Sequence, residues 1–255
     1  MNRLIPFLTL LERELMRFLR LSSQTIAPPI ITTVMFVLIF GYSLGSRIQE
    51  VSGFSYIHYI IPGLAGMGLI NSAFANCSFS LFMARAYDRS IEGILSSPLS
   101  SMQIVTAYII SSVIRGTLVG IITLAVAAIF TSMSIASVGW TIFFVVMSSA
   151  CFGGAGLIAG LWAEEWDHLG TITNFVLTPL TYLSGVFYSI KMLPPFWQKA
   201  SLLNPLFYMI DCLRWAVLGS SDIPVWQSGS VVVISAIIFY LIPLYLFRRG
   251  WKLVV

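Results

Sequence analysis

Long apolar runs make up most of the chain, and six of them are each long enough to cross a membrane as an α-helix. A transmembrane helix needs about 20 residues to span roughly 30 Å of hydrocarbon. The runs cover residues 24–45, 56–80, 104–130, 138–163, 169–189 and 228–247. This pattern predicts an all-α membrane protein with six transmembrane helices forming one bundle over residues 24–247.

Composition supports a membrane protein and excludes a water-soluble fold. Hydrophobic residues make up 58% of the 255 residues and charged residues only 9%, whereas a soluble domain carries a far more charged surface. The net charge of +4 does not indicate nucleic-acid binding, because the basic residues lie scattered beside the apolar runs, as they do at the ends of membrane spans. We expect a single membrane domain over residues 1–255, with lipids and no nucleic acid among its partners.

Residues 1–22 have the pattern of an amphipathic helix. Apolar residues recur there at helical spacing: Leu4, Leu8, Leu11, Leu15 and Phe18. Arginines occupy another face: Arg13, Arg17 and Arg20. Such a helix lies in the membrane interface with its basic side toward the lipid headgroups. The alternative is an ordinary charged leader ahead of the first span.

The distribution of basic residues indicates the orientation of the chain. Six spans place both termini on one side, and the loops of that side contain nine basic residues: Arg3, Arg13, Arg17, Arg20, Arg85, Arg89, Arg248, Arg249 and Lys252. The opposite loops contain four: Arg47, Lys191, Lys199 and Arg214. By the positive-inside rule, both termini are therefore expected in the cytoplasm.

The cytoplasmic loop 82–101 predicts a short amphipathic helix. Its charged residues lie three and four positions apart: Arg85, Asp88, Arg89 and Glu92. These spacings place ion pairs on one helix face. Its apolar residues form another side: Ile91, Ile94, Leu95 and Leu99. A helix outside the bilayer needs cover for such a side, and either a cytoplasmic partner protein or the bilayer surface would supply it.

The outer segment 190–227 is too rich in proline for another span and too poor in charge for a free linker. Prolines interrupt it at four positions: Pro194, Pro195, Pro205 and Pro224. Aromatic and aliphatic residues keep it apolar, Phe196 and Trp197 among them. The pattern predicts two short helices that dip back into the outer leaflet and pack against the bundle.

Polar residues inside two of the predicted spans are candidates for a transport path. The fifth span carries five of them at spacings of three and four: Thr171, Asn174, Thr178, Thr181 and Ser184. The second span carries a weaker set, including Asn71 and Asn76. Polar groups avoid lipid, so these faces point toward other helices or a wet cavity. The alternative is hydrogen bonding between helices with no role in transport.

Arg115 is the basic residue that lies well inside a predicted span, the third. An intramembrane charge is a functional candidate, although a long arginine side chain also snorkels to the interface. Both interpretations stay open, and the sequence names no partner. Two G-x-x-x-G pairs, at residues 116–120 and 156–160, predict close helix packing without showing whether the packed helix belongs to the same chain.

Signals for catalysis or a metal site are weak. The chain has two histidines and no G-x-x-x-x-G-K-[ST] motif, so we expect no catalytic residue, no P-loop and no bound cofactor or metal. Residues 164–168, E-E-W-D-H, could crowd a metal, but a charged turn between two spans is the simpler interpretation.

The whole chain resembles the permeases of ATP-binding-cassette type-2 exporters. The most specific stretch is residues 177–215, LTPLTYLSGVFYSIKMLPPFWQKASLLNPLFYMIDCLRW. Residues 53–64, GFSYIHYIIPGL, and 89–100, RSIEGILSSPLS, resemble the family as well. The likeness is to short bacterial permeases of the drug and lipooligosaccharide export branch.

This resemblance implies a fold and a mechanism. Two permease chains, usually identical, would pair in the bacterial inner membrane, and two copies of a separate ATPase subunit, which uses ATP and Mg²⁺, would dock on the cytoplasmic face. The helix around residues 85–99 would be the coupling helix, with contacts from Arg85, Asp88, Arg89, Ile91, Glu92, Ile94 and Leu95. The N-terminal helix would brace this junction.

The resemblance also implies where substrate passes. Helices two and five would line the path through Asn71, Asn76, Thr171, Asn174, Thr178, Thr181 and Ser184. The outer segment would form an exit gate with Pro194, Pro195, Phe196, Trp197, Asn204 and Pro205. The acidic turn at residues 164–168 departs from the family pattern, so its contact with an ATPase is open.

Three functions are open to a membrane protein of this kind: the transport subunit of an exporter, an integral-membrane enzyme, and an ion channel or scaffold. An enzyme needs a cluster of His, Asp or Glu at one membrane face, and only residues 164–168 approach one. A channel needs a filter-like loop or a ring of charge, which the sequence does not show. The expected cargo is hydrophobic or amphipathic, and both drug-like molecules and lipid-linked glycans fit it.

Overall fold

A computed structural model describes residues 4–20, 22–44, 50–131 and 134–253, without the side chains of residues 22–26 and 41–44. Arg3 and Arg47, which entered the count of basic residues, and the end of the first predicted span at Gly45 lie outside the described residues.

The described chain is almost entirely helical. Its α-helices are α1 Leu4–Arg20, α2 Ser22–Phe36, α3 Tyr56–Ala86, α4 Ser90–Ser96, α5 Ser101–Phe130, α6 Val138–Trp162, α7 Trp166–Ile172, α8 Thr178–Tyr182, α9 Pro195–Leu202, α10 Pro205–Leu218 and α11 Val225–Arg249. Wider π-helical turns continue α2 over Val37–Leu44 and join α7 to α8 over Thr173–Leu177. Two-residue strands β1 (Glu50–Val51) and β2 (Phe54–Ser55) pair in antiparallel register ahead of α3, and Ile190–Met192 forms a 3₁₀ turn.

Among the described residues, four helices are long and apolar enough to cross a membrane: α3, α5, α6 and α11. This confirms the all-α membrane class, and the four helices coincide with four of the six predicted spans. The first predicted span falls on α2 and its π-helical continuation, where Ala27–Phe40 is apolar but shorter. The fifth falls on α7–α8, which ends at Tyr182 rather than at residue 189 because the chain turns there, with Gly185 at a positive φ of 73°. The number of spans stays a prediction.

The centre of the bundle is the contact between α3 and α6, and glycines on α6 make it close. An added Cβ at Gly156 would lie 2.4 Å from the backbone oxygen of Phe74, and one at Gly160 would lie 2.7 Å from that of Ser78. Gly116 of the other G-x-x-x-G pair packs on Ser149 of α6. The predicted close packing is therefore between helices of the same chain.

Helix α1 packs into the bundle and does not simply rest on its surface. Leu10 and Phe18 are buried, as the apolar pattern predicts, but Glu14 is also fully buried. Arg17 lies on the same inner side and bonds Asn76 of α3. The expectation that the basic face of this helix points to lipid headgroups is therefore wrong for Arg17, whereas Arg13 and Arg20 are exposed.

Candidate coupling and transport sites

Arg85 lies inside the bundle and not on the predicted coupling surface. It belongs to the last turn of α3, and its Nη1 donates to the carbonyls of Gly160 at 2.7 Å and Leu161 at 2.8 Å. These are final carbonyls of α6, which have no partner within their own helix and carry the negative end of its dipole. Arg85 therefore holds α3 to α6, and its assignment to a coupling surface was wrong.

The short helix predicted after the second span is present as α4, but part of its apolar side is already covered. Ile91 and Ile94 are 1% and 7% exposed, and they share a buried cluster with Leu10 of α1 and Ile104 of α5. Arg13 of α1 also donates to Ser90 Oγ at 2.8 Å. The expectation that this side needs a partner or the bilayer is therefore wrong for Ile91 and Ile94, whereas Leu95 of the same side is exposed and Leu99 is half-buried.

Four of the predicted coupling residues do reach the surface, and we call them the α4 patch: Asp88, Arg89, Glu92 and Leu95. Arg89 has a positive φ of 48° and precedes the first residue of α4, so the chain turns sharply between α3 and α4. Leu95 is 38% exposed. The patch therefore combines charge of both signs with one exposed aliphatic side chain.

The predicted polar face of the fifth span is divided by the π-helical turns. Thr171 and Asn174 are exposed, Thr178 is half-buried, and Thr181 and Ser184 are buried. A π-helical turn takes up one more residue than an α-helical turn, so residues at spacings of three and four no longer share one side. The first two residues of this polar face are therefore exposed and the last two are buried.

The threonine hydroxyls of this polar face donate to backbone carbonyls of their own helical segment. Thr171 donates to Asp167 O, Thr178 to Thr173 O and Thr181 to Leu177 O, at 2.7–2.9 Å. The alternative of hydrogen bonds between helices therefore does not describe these three residues. A threonine bonded to its own backbone still presents an oxygen to a neighbour, and the path-lining role of the exposed pair stays a prediction.

The two asparagines of α3 have different surroundings. Asn71 is half-buried, donates to Met67 O at 3.0 Å and borders a cavity between α2, α3 and α5. Asn76 is fully buried and belongs to a hydrogen-bonded network. Its placement fits a structural bond between helices better than the wall of an open path.

Arg115, whose partner the sequence did not name, contacts Asn76. It lies near the middle of α5, about 21 Å from the first residue of that helix at 1.5 Å per residue. Its Nη1 donates to Asn76 Oδ1 at 3.4 Å, and Arg17 Nη2 donates to the same oxygen at 3.0 Å. The Asn76 amide donates in turn to Ser111 Oγ at 3.0 Å. Because Asn76 also bonds Ser111, one turn nearer the start of α5, the Arg115 side chain is directed at α3 and toward the end of the bundle where α5 begins.

Glu14 completes this network from α1. Its Oε2 lies 3.3 Å from Arg17 Nε and accepts a hydrogen bond from Ser80 Oγ. An intramembrane charge is costly to bury without a partner, so the carboxylate and the amide stabilise the two guanidinium groups. The sequence analysis missed Glu14 and Ser80. A signal was present, because Glu14 is the first acidic residue that shares a helix face with Leu10 and Phe18.

The predicted gate residues of the outer segment fall into two groups. The segment forms two short helices, α9 and α10, as expected. Pro194, Pro195, Phe196 and Trp197 are exposed at the start of α9. Asn204 is buried, where its Oδ1 caps α10 by accepting from Leu206 N at 3.0 Å, and its Nδ2 donates to Leu180 O at 2.6 Å. Pro205 occupies the first turn of α10, a position that proline favours.

A second buried charge cluster, which the sequence analysis missed, holds the outer segment. Arg214 Nη2 donates to Gly185 O, its Nη1 lies 3.7 Å from Asp222 Oδ2, and its guanidinium stacks over Tyr59 at 4.0 Å. Asp211 accepts from Asp222 N and Ser228 Oγ, both at 2.7 Å. Two charges three positions apart in an apolar helix, at 211 and 214, were the available signal.

The acidic turn between α6 and α7 is paired with the end of the chain. Glu164 Oε1 lies 2.5 Å from Lys252 Nζ, and its backbone N–H donates to His168 Nδ1 at 3.3 Å. The Lys252 ammonium, by hydrogen bond and by charge, lowers the pKa of the Glu164 carboxyl. Among residues 4–20, 22–44, 50–131 and 134–253, no three His, Cys, Asp or Glu side chains are close enough to hold a metal. The turn thus has the character of the charged connection expected in the simpler interpretation.

These features define a multi-helix membrane protein with buried charge networks near both ends of its bundle. The chain belongs to the ABC-2 type transporter family, whose model matches residues 6–218. This confirms the resemblance drawn from the sequence motifs.

Relatives extend the likeness over nearly the whole chain. The inner membrane transport permease YadH of Escherichia coli (strain K12) is 41% identical over 238 residues, which cover 93% of each protein. Nodulation protein J of Bradyrhizobium diazoefficiens is 28% identical over 214 residues, covering 82% of this chain and 80% of that protein. Nodulation protein J of Sinorhizobium fredii is 27% identical over 207 residues, covering 81% and 77%. The chain is accordingly a transport permease of this family.

Proposed function

We propose that the chain is the transmembrane permease subunit of an ATP-driven exporter in the bacterial inner membrane, with six spans and both termini in the cytoplasm. Membership of the ABC-2 type transporter family carries this proposal, and a 41% identical relative is named as an inner membrane transport permease. The two segments without a full-length apolar helix, α2 with its π-helical turns and α7–α8, complete the six where the bilayer thins around them or where they pair with another chain.

In this proposal the energy comes from a separate subunit. The sequence has no P-loop, so ATP and Mg²⁺ are used by two copies of a partner ATPase, and this chain binds neither. The α4 patch is the proposed contact. Because Ile91 and Ile94 fix the other side of α4 to α1 and α5, force applied to the patch passes directly into α1 and the cytoplasmic start of α5.

The proposed path lies between two copies of the chain. Thr171 and Asn174 are exposed beside Phe175, which is 78% exposed. This mixed face of α7 and the π-helical turns suits an amphipathic cargo, such as a drug-like molecule or a lipid-linked glycan. ATP-driven closure of the ATPases would rock the two permease chains and open the path outward, past the exposed aromatic residues at the start of α9.

An Asp substitution at Leu95 tests the coupling role. Inverted membrane vesicles that contain the complete transporter would be assayed for ATP hydrolysis and for ATP-dependent uptake of an amphipathic fluorescent dye. We expect Leu95→Asp to abolish dye uptake while the amount of folded permease in the membrane stays unchanged. The matched control is Ile135→Asp, in the connection between α5 and α6, whose side chain is 40% exposed against 38% for Leu95. Equal uptake by both variants would remove the coupling role from α4.

A further inference from the structure

A cavity of about 320 Å³ lies between α2, α3 and α5 and is open to the surface along α2. Its polar lining is Thr32, Thr33, Asn71, Ser72, Arg115 and Thr123. The rest of its wall is apolar, with Phe36 and Met67 among the contributors. The volume is near the lower end of the ~300–1,000 Å³ that ligand pockets occupy. It accommodates a headgroup and the start of a chain, but not a large molecule as a whole.

Two of the lining side chains have buried polar atoms that no group in the described part of the chain satisfies. These atoms are Ser72 Oγ and Arg115 Nε. The Arg115 guanidinium, with its five N–H donors, makes one hydrogen bond to described residues, the 3.4 Å contact with Asn76 Oδ1. Buried polar groups in folded proteins are nearly always hydrogen-bonded, so these two atoms need a partner that the described residues do not supply.

The charge beside the cavity indicates the sign of that occupant. Over the described residues, the network next to it contains two guanidinium groups, from Arg17 and Arg115, and one carboxylate, from Glu14. Glu14 bonds Arg17 and Ser80 on the α1 side, whereas the one hydrogen bond of Arg115 to the described residues is to a neutral amide. One positive charge is therefore left without a counter-charge at the cavity wall. Water would satisfy hydrogen bonds there but would not supply the missing negative charge.

We propose that this cavity binds the oxyanion group of an amphipathic molecule, with Arg115 and Ser72 as the donors and the apolar wall along α2 holding the start of its chain. Arginine suits this task because its planar donors match the oxygens of phosphate. The chemistry is that of a phosphate, which a lipid headgroup and free inorganic phosphate both offer. The proposal concerns binding to this chain alone and does not depend on the proposed transport role.

Binding of radiolabelled hexadecyl phosphate to the purified full-length chain in a neutral detergent tests the proposal. We expect saturable binding that unlabelled hexadecanol, which has the same chain without the anion, does not displace. Displacement by inorganic phosphate supports a site for free phosphate, and its failure to displace supports a site for the headgroup of an amphiphile. Displacement by hexadecanol as effectively as by hexadecyl phosphate would overturn the oxyanion site.

Three variants connect the binding to the named atoms. Arg115→Gln should weaken binding by roughly ten- to a hundredfold, because a charge-assisted hydrogen bond is lost. Arg20→Gln removes an exposed arginine of α1 and should leave binding unchanged. Ser72→Ala removes an unsatisfied hydroxyl, so the protein without ligand should be at least as stable as wild type. The same variant should bind hexadecyl phosphate several-fold more weakly. Unchanged binding in folded Ser72→Ala and Arg115→Gln proteins would contradict the proposal.

Discussion

The close contact between α3 and α6 makes a sharp prediction about two glycines of the same helix. Gly156 lies where α6 meets the backbone of α3, and an alanine Cβ there would lie 2.4 Å from Phe74 O and 3.1 Å from Ser78 N. Both neighbours are backbone atoms of a helix and cannot rotate away. Ordinary contact at about 3.4 Å or more would require the two helices to separate locally by about 1 Å.

The size of the effect follows from two opposing terms. Replacing glycine by alanine in a helix stabilises it by about 0.5–1 kcal/mol, because alanine loses less backbone entropy. Overpacking a tight interface costs about 1–3 kcal/mol. The cost prevails at Gly156, so we expect Gly156→Ala to lower the stability by about 1–2 kcal/mol. At roughly 2–4 °C per kcal/mol for a chain of this size, the thermal midpoint should fall by several degrees.

Gly139 is the matched control, because it lies in α6 and no atom falls within 4 Å of an added Cβ. Gly139→Ala should therefore raise the midpoint slightly or leave it unchanged. The assay is the loss of monodisperse protein on size exclusion after heating in detergent. If Gly156→Ala proved as stable as Gly139→Ala, the close packing of α3 on α6 within one chain would be refuted.

The other predictions concern charges. Glu14→Leu leaves Arg17 without its buried counter-charge and should lower stability by about 3 kcal/mol, whereas Glu12→Leu on the exposed side of α1 should have little effect. The thermal midpoints of the two variants are compared by heating in detergent. Equal midpoints would place Glu14 outside the bundle. Arg214→Met, which leaves Asp222 buried without its cation, should likewise cost about 3 kcal/mol and expose the 183–192 loop to protease; unchanged cleavage would contradict the cluster. Because Lys252 lowers the pKa of Glu164, that pair contributes stability above the usual carboxyl pKa of 4.5 and loses it as the pH falls through the lowered value. The thermal midpoints of wild type and Lys252→Gln should thus differ at neutral pH and converge in acid. The same difference in midpoint at every pH would show that the pair is absent from the folded state.

Much of the fold follows from hydropathy, because a run of about 20 apolar residues has few alternatives to a transmembrane helix. That reasoning located α3, α5, α6 and α11 closely. It failed at the end of the fifth span, where Pro179 and Gly185 belong to an apolar stretch that is helical only as far as Tyr182. Hydropathy measures how apolar a segment is, and a turn that is buried by its neighbours has the same composition as a helix.

Side-chain placement was less predictable, for a physical reason. The periodicity of α1 correctly indicated a helix, but it could not show which of its polar residues pack inward, because Asn76 and Ser80, the partners of Arg17 and Glu14, lie about 60 residues away in sequence. Arg85 was placed on α4 because its spacing to Asp88 and Glu92 is helical, yet α3 continues through Ala86 and directs Arg85 at the end of α6. Pairings across distant segments depend on the packing of the bundle.

Photo-crosslinking from the α4 patch is the most direct test of whether this permease is driven by a separate ATPase at its cytoplasmic face. A photo-activatable side chain would replace Leu95 in one variant and Ile135, in the connection between α5 and α6, in another. Both variants would be illuminated in intact membranes. We expect the variant at Leu95 to form an adduct with a subunit that carries a P-loop, and the variant at Ile135 to form none with it. An adduct with that subunit from Ile135 but not from Leu95 would contradict the proposed docking and the orientation of the chain.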